Sequence, residues 1–172
     1  MAAKSPFIIR GKVEHGVTGG FAEDTIDLGA FVDALGKSVL RIHSIQVAHQ
    51  EDQRPEKGPV AAATGATLNL GYQLTTQSQT NMIQTSDKSV IASGNVVTSK
   101  FSSSAIVAMI TDTNNLNPTN FQIGYLIATE TLYLSTKTDV EADDAFTTNV
   151  ILECSVEKLD ERAAMSLALS QS

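Results

Sequence analysis

Apolar and polar residues alternate along most of this chain, and a period of two predicts β-strands. In residues 66–76 and 148–159 apolar side chains recur at every second position, and the second stretch places Cys154 on its inward side. In residues 38–49 the phase shifts by one residue, so a β-bulge at His43–Ser44 is predicted to keep both halves of the strand on one core. Further strands are predicted at residues 7–14, 25–28, 89–99 and 105–110 and, in two halves, at 121–136, where Phe121, Ile123, Tyr125 and Ile127 alternate with other residues in the first half.

Four segments depart from this alternation. Residues 105–110 are continuously apolar, which is typical of a strand covered on both faces. Residues 29–36 have apolar side chains at helical spacing and predict a short helix or 3₁₀ turn at one end of the core. Residues 50–65 are charged at first and then rich in small residues, which predicts a long exposed loop. Residues 160–172 predict a short helix with Asp160 as its N-cap.

This arrangement predicts an all-β fold. About eight short strands follow one another without an alternating strand-helix pattern, which favours an antiparallel β-sandwich, and an eight-stranded single jelly roll in particular. The 172 residues are enough for one domain. We expect a single domain over residues 1–172, with an N-terminal arm at 1–12 and a C-terminal helical tail at 160–172.

Charge and cysteine content narrow the possible functions. The formal net charge is −7, which argues against direct nucleic-acid binding because phosphate contacts require clustered cations. One basic stretch, Lys4, Arg10 and Lys12, reads as a solvated arm or as an arm facing a polyanion such as a genome or lipid headgroups. The single cysteine permits no internal disulfide. We expect neither a signal peptide nor a membrane-spanning segment.

The search for catalytic residues finds none. The three histidines are His15, His43 and His49. His43 and His49 are expected to share one strand face, too far apart to bind one ion directly. The nucleophile-elbow and phosphate-loop motifs are absent from the sequence. Cys154 is expected to be an inert, buried thiol, so we predict neither an enzyme nor a cofactor.

An acidic run provides one candidate metal site. Asp139, Glu141, Asp143 and Asp144 offer the carboxylate oxygens that Ca²⁺ prefers. The glycine of a sharp turn and a closing glutamate at the right distance are both missing. The alternative interpretation is a solvated loop.

The tail predicts a partner surface. Residues 160–172 carry Met165, Leu167 and Leu169 with few charges, and so short a helix is marginal alone. Left exposed it would be an apolar patch, so it should dock on its own sandwich or on a neighbour. The strands are also rich in neutral polar residues, which protect sheet edges poorly. Both features favour a repeated subunit of a larger assembly.

Several stretches resemble single jelly-roll major capsid proteins of small icosahedral bacterial and archaeal viruses. They are TIDLGAF at 25–31, SVLRIHSIQVAH at 38–49, IGYLIATETLYLST at 123–136 and TNVILECSVEKLDE at 148–161. The resemblance implies two four-stranded sheets, no active site, and self-assembly into a shell through arm, loop and tail contacts. The contact residues expected from it are Arg10, Lys12, Arg54, Glu56, Met165, Leu167 and Leu169.

The resemblance also implies partners and a location. Copies of the chain would form capsomers and a shell in a virion made in the host cytoplasm, together with minor capsid proteins. The arm lacks a strong positive charge, which suits a shell that lies over an internal membrane or is filled by a motor. In the first case the N-terminal arm would contact that membrane.

Two other functions remain open on the sequence alone. An oligomeric ligand-binding or receptor-binding jelly-roll module of a virion or phage tail predicts a pocket or a Ca²⁺ site, but aromatic residues are scarce. An enzyme on a cupin-like scaffold needs a histidine-rich metal set, which three scattered histidines supply poorly.

Overall fold

The computed structural model describes residues 5–33, 38–102, 105–111 and 116–171, with the backbone alone for 102 and 105–111. Across these residues the chain forms nine strands, one 3₁₀ turn and one helix. The strands are β1 (Phe7–His15), β2 (Gly20–Asp27), β3 (Ser38–Glu51), β4 (Thr67–Thr75), β5 (Val90–Ser102), β6 (Ala105–Thr111), β7 (Tyr125–Ile127), β8 (Thr131–Thr138) and β9 (Phe146–Lys158). The 3₁₀ turn is Pro118–Asn120, and the helix is α1 (Glu161–Gln171).

The strands form two antiparallel sheets that pack as a sandwich. Sheet A has the order β1-β9-β3-β7, and sheet B has the order β2-β8-β4-β5-β6. Without β6, each sheet has four strands, and the chain passes between the sheets in the order of a jelly roll. The structure therefore confirms the predicted fold class and adds a ninth strand at the edge of sheet B.

The core lies between the two sheets and consists of the alternating apolar residues. Those of β3 and β9 pack against those of β4 and β8, as the two inner faces of a sandwich do. Cys154 is fully buried among them, as the alternation predicted. The fully buried core side chains include Leu28, Leu40, Ile42, Ile127, Leu132, Leu134 and Leu152.

The predicted bulge in β3 is confirmed. The register against β9 shifts between Ile42 and Ser44, so Ile42 and Ile45 both point into the core. The shift also separates the two histidines that were expected to share a face. His43 lies exposed at the bulge, whereas His49 packs beside the ring of Tyr72 from the opposite sheet.

Of the two alternatives predicted for residues 29–36, the described part forms the turn and not the helix. Residues 29–31 are a turn in which Phe31 and Val32 both donate to the carbonyl of Leu28; residues 34–36 of this prediction lie outside the described residues. The loop predicted at 50–65 differs from the structure, because it is not exposed throughout. Val60 and Ala61 are buried, because Val60 accepts a hydrogen bond from Asp143 and Ala61 pairs with Ala142.

The strand predicted from the alternation at residues 121–127 is wrong in its first half. Phe121 and Ile123 are exposed, and strand β7 begins only at Tyr125. Gly124 has a φ of +64°, and this left-handed turn resets the direction of the chain just before the strand. The polar-apolar pattern continues across the turn, so it could not reveal the break.

The structure also places much of the predicted N-terminal arm within sheet A. Strand β1 begins at Phe7 and pairs with β9 along its full length, so residues 7–12 are part of the sandwich. No helix among the described residues is long and apolar enough to cross a membrane.

Candidate assembly surfaces

The C-terminal helix docks on its own sandwich. The Asp160 side chain caps it by accepting a hydrogen bond from the amide of Ala163 at 2.8 Å. One turn later, Ala164 is fully buried against Val39 and Ala128, and this contact fixes the helix beside the β7 edge of sheet A. Of the two docking modes that the sequence left open, the structure shows the first.

The end of the helix is tied to β7 by Gln171. Its side-chain nitrogen donates to the carbonyl of Leu126 at 2.7 Å, and its side-chain oxygen accepts from the amide of Ala128 at 2.9 Å. The Gln171 carbonyl also accepts a hydrogen bond from the Thr76 hydroxyl at 2.7 Å. The carboxamide thus pairs with the strand edge as a peptide group would. No sequence pattern distinguished Gln171 from the other polar residues of the tail.

The exposed part of the helix includes two large apolar side chains. Met165 is 51 % exposed and Leu169 is 72 % exposed, and they lie four residues apart on one face of α1. Leu167, the third predicted contact of the tail, is instead turned partly into the Ala164 cluster. Of the three predicted tail contacts, Met165 and Leu169 are therefore the two that are exposed.

An open groove runs between α1 and the β7 edge. Its volume is about 580 Å³, and its lining includes Ile123, which is 73 % exposed, and Leu167. Arg41 also lines the groove, but its guanidinium is paired with the Glu157 carboxylate at 2.9 Å. This contact raises the pKa of Arg41 above its ordinary value. Two apolar residues of the groove and the two exposed on α1 are grouped under one name, the tail surface: Ile123, Met165, Leu167 and Leu169.

The second predicted contact region is held to the domain by ion pairs. The Glu51 carboxylate is completely buried, with Lys57 Nζ at 2.6 Å and Arg54 Nη2 at 2.9 Å. Two cations are the compensation that a buried carboxylate requires. Arg54 is therefore already engaged within the chain, whereas Glu56 is exposed.

The acidic run does not gather into a metal site. Asp139 accepts hydrogen bonds from the backbone and side chain of Asn69, which outweigh burial and lower its pKa. Asp143 binds Lys100 at 3.0 Å, and this contact lowers its pKa. Asp144 caps the amide of Ala145, and Glu141 is exposed. No three histidine, cysteine or acidic side chains converge as metal ligands in the part of the chain that the structure describes.

The predicted arm contacts lie at the other edge of sheet A. Arg10 and Lys12 are exposed on β1, and Lys12 Nζ is 2.6 Å from Glu14. Since β1 and β7 are the two outer strands of this sheet, the structure does not bring these residues near the tail surface.

The Cys154 thiol is buried in the sandwich, and the His49 imidazole is partly buried there. Burial raises the pKa of Cys154 to about 12, which leaves the thiol protonated at neutral pH. Burial lowers the pKa of His49 to about 4, and one of its ring nitrogens lies 2.9 Å from the hydroxyl of Thr148.

Comparison with known proteins gives relatives in structure only. No family model and no curated protein matches the chain. The chain is similar to a protein of the human polyomavirus 6 VP1 pentamer, with a TM-score of 0.50, 7 % sequence identity, and coverage of 93 % of this chain and 97 % of that one. A chain of Desmodium yellow mottle tymovirus aligns with a TM-score of 0.31, 7 % identity and 89 % coverage of both chains. The first likeness shows a shared fold over nearly the whole length of both chains.

Proposed function

We propose that this protein is a structural subunit of a virus capsid and that copies of it assemble into a protein shell. The observation that carries the proposal is the fold. A complete jelly-roll sandwich is shared, end to end, with VP1, a capsid protein solved as a pentamer. Assembly, rather than catalysis, is the activity that this subunit would perform.

The tail surface supports self-assembly. Ile123 is exposed in the groove beside α1, and Met165 and Leu169 are exposed on α1 itself. Large apolar side chains left exposed in this way are typical of surfaces that a partner covers. In the proposed shell, a neighbouring copy covers them, while the exposed Arg10, Lys12 and Glu56 make polar contacts from the β1 edge and the loop after β3.

The finer details of the proposal come from the sequence resemblance. We infer a virion of a bacterial or archaeal virus, built in the host cytoplasm, with minor capsid proteins as further partners. The segment before β1, which includes Lys4, would face an internal membrane if one lies beneath the shell. The four carboxylates of the acidic run would bind Ca²⁺ only after their present contacts rearrange.

One observation favours the alternative function, a ligand-binding or receptor-binding module. An open cleft of about 260 Å³ lies on sheet B, lined by neutral polar residues that include Gln73, Thr85 and Ser93. The side-chain oxygen of Asn95 is buried there and has no hydrogen-bond partner among the residues that the structure describes. Such an oxygen would accept a hydrogen bond from a neutral ligand such as a glycan hydroxyl.

The test is the native mass of the full chain, measured by light scattering with negative-stain microscopy, with and without Ca²⁺. Closed particles or capsomer-sized rings are the expected result. A monomer or small oligomer whose mass does not change with protein concentration would contradict the capsid proposal. It would favour the binding module, and the cleft at Asn95 would then be screened against glycans.

A further inference from the structure

Four strands form the edges of the two sheets, and they are not equally protected. The edges are β1 and β7 in sheet A and β2 and β6 in sheet B. The outer side of an edge strand offers unpaired amides and carbonyls to another chain. Proteins usually guard such edges with charged side chains, with very short strands or with a covering segment.

Three of these edges carry a guard. Strand β1 alternates Arg10, Lys12 and Glu14 on its exposed face, and β2 carries Glu23, Asp24 and Asp27. Strand β7 is only three residues long, and the Gln171 carboxamide covers part of its edge.

In the described part of the chain, the fourth edge strand, β6, has no protection of these kinds. It is seven residues long, with the sequence AIVAMIT, and it contains no charged residue and no proline. It pairs antiparallel with β5 on one side, and no described strand lies on the other. The irregular register is confined to the turn end of the pair, and residues 108–111 pair regularly with β5.

The composition of β6 is that of an interior strand. Continuous apolar runs are typical of strands with neighbours on both sides and cover on both faces, yet the topology places this one at an edge. Phe101, near the end of β5 next to it, is 65 % exposed, which extends the uncharged region. The juxtaposition indicates that another strand pairs with β6 when the protein is assembled.

We propose that β6 pairs antiparallel with β6 of a second copy across a two-fold axis, which joins the two B sheets into one. This inference rests on the proposed self-assembly and names one of its contacts. The partner follows from charge. Each copy carries a net charge of −7, whereas residues 101–111 carry no charge, so two copies can meet along β6 without like charges on the contacting strands. Two identical, uncharged apolar edges are self-complementary, and a two-fold contact closes on itself.

The first test is a cysteine scan of the full chain, with Ile106→Cys, Val107→Cys, Ala108→Cys and Met109→Cys made one at a time and oxidised mildly. Directly opposite residues of antiparallel strands lie close enough for a disulfide, so at least one position near the axis should give a linked dimer. Native Cys154 is buried and should not compete. Thr25→Cys, exposed on the β2 edge of the same sheet, is the matched control and should give no dimer.

The second test adds a charged residue to the β6 edge. Val107→Lys places like charges on the two copies at the proposed contact and should weaken association by about tenfold or more. Thr25→Lys, on the guarded β2 edge, should leave association unchanged. Circular dichroism and the unfolding midpoint of both variants establish that the fold is kept. The cysteine variants probe the same contact with substitutions that change the side chain less than lysine does.

Each outcome has one meaning. Dimers at β6 positions, together with sensitivity to Val107→Lys, support the inference. Sensitivity to the lysine without a dimer at any scanned position overturns the β6–β6 contact, because β6 then meets a different surface. If particles form with neither effect, the inference fails and the capsid proposal stands. If the chain does not associate at any concentration, both fail.

Discussion

The side-chain nitrogen of Gln171 donates to the carbonyl oxygen of Leu126 at 2.7 Å, so the end of the described tail is tied to the edge of β7. Replacing Gln171 with alanine leaves that carbonyl and the buried amide of Ala128 without partners. A buried polar group left unpaired costs about 1–3 kcal/mol. We expect Gln171→Ala to lower the free energy of unfolding by about this amount and to speed proteolysis of the tail.

The control for this variant is Ser166→Ala, an exposed change on the same helix that should leave stability nearly unchanged. Denaturant titration measures both variants under conditions where the protein is a monomer. Equal stability of the two would mean that the Gln171 contacts contribute nothing.

The exposed face of the tail should matter for assembly rather than for folding. Met165 and Leu169 are both at least half exposed, so changing both to serine removes little buried area from the subunit. We expect the double variant to unfold within about 0.5 kcal/mol of the parent and to form few particles in light scattering.

Val17→Ser is the matched control for that experiment, since Val17 is comparably exposed but lies in the turn between β1 and β2. It should assemble like the parent. Normal assembly of the Met165 and Leu169 double variant would remove the tail surface from the capsid proposal. Deletion of 160–172 is a blunter test, because it also uncovers Val39 and Ala128.

The features that the sequence could predict are those defined by residues close together in the chain. The β3 bulge was predictable because the apolar phase itself shifts between Ile42 and Ile45, and only a bulge returns both side chains to one core. The helix cap at Asp160 was predictable because a cap is defined by adjacent residues. The antiparallel sandwich followed from the same alternation, although the structure has nine strands where about eight were predicted.

Contacts between distant segments could not be read in this way. The Gln171 carboxamide and the β7 edge are 45 residues apart, and nothing in either segment encodes the other. The buried Glu51 looked like part of a charged loop because its cationic partners become visible only when that loop folds back. The exposure of Ile123 was hidden because the alternation continues through the turn at Gly124.

Gly124 should be intolerant of substitution. Its φ is +64°, and a Cβ there would collide with the backbone carbonyl of Ile42, which cannot move without breaking the β3–β7 pairing. We expect Gly124→Ala to cost about 2–4 kcal/mol in the free energy of unfolding, from backbone strain and steric overlap together.

Gly65→Ala separates these two contributions. Gly65 also has a positive φ, of +82°, but nothing lies within 4 Å of the position of its Cβ. Its alanine variant should lose only the conformational part, about 1–2 kcal/mol. Equal losses for the two variants would show that the contact with Ile42 carries no cost. Thermal and denaturant unfolding of both proteins measure the difference.

His49 should make the fold sensitive to mild acid. Burial beside Tyr72 lowers its pKa to about 4, whereas an unfolded chain has a histidine pKa of about 6.5. The unfolded state therefore binds the proton first, and stability falls as the pH drops from about 6.5 towards about 4. One pKa unit corresponds to about 1.4 kcal/mol, so the loss approaches about 3 kcal/mol at the acid end.

The measurement is the free energy of unfolding from pH 7 to pH 4.5 in the parent and in His49→Gln, which should lose this part of the slope. His43→Gln, at the exposed bulge, should keep it. Identical slopes in His49→Gln and the parent would show that this histidine does not couple folding to pH.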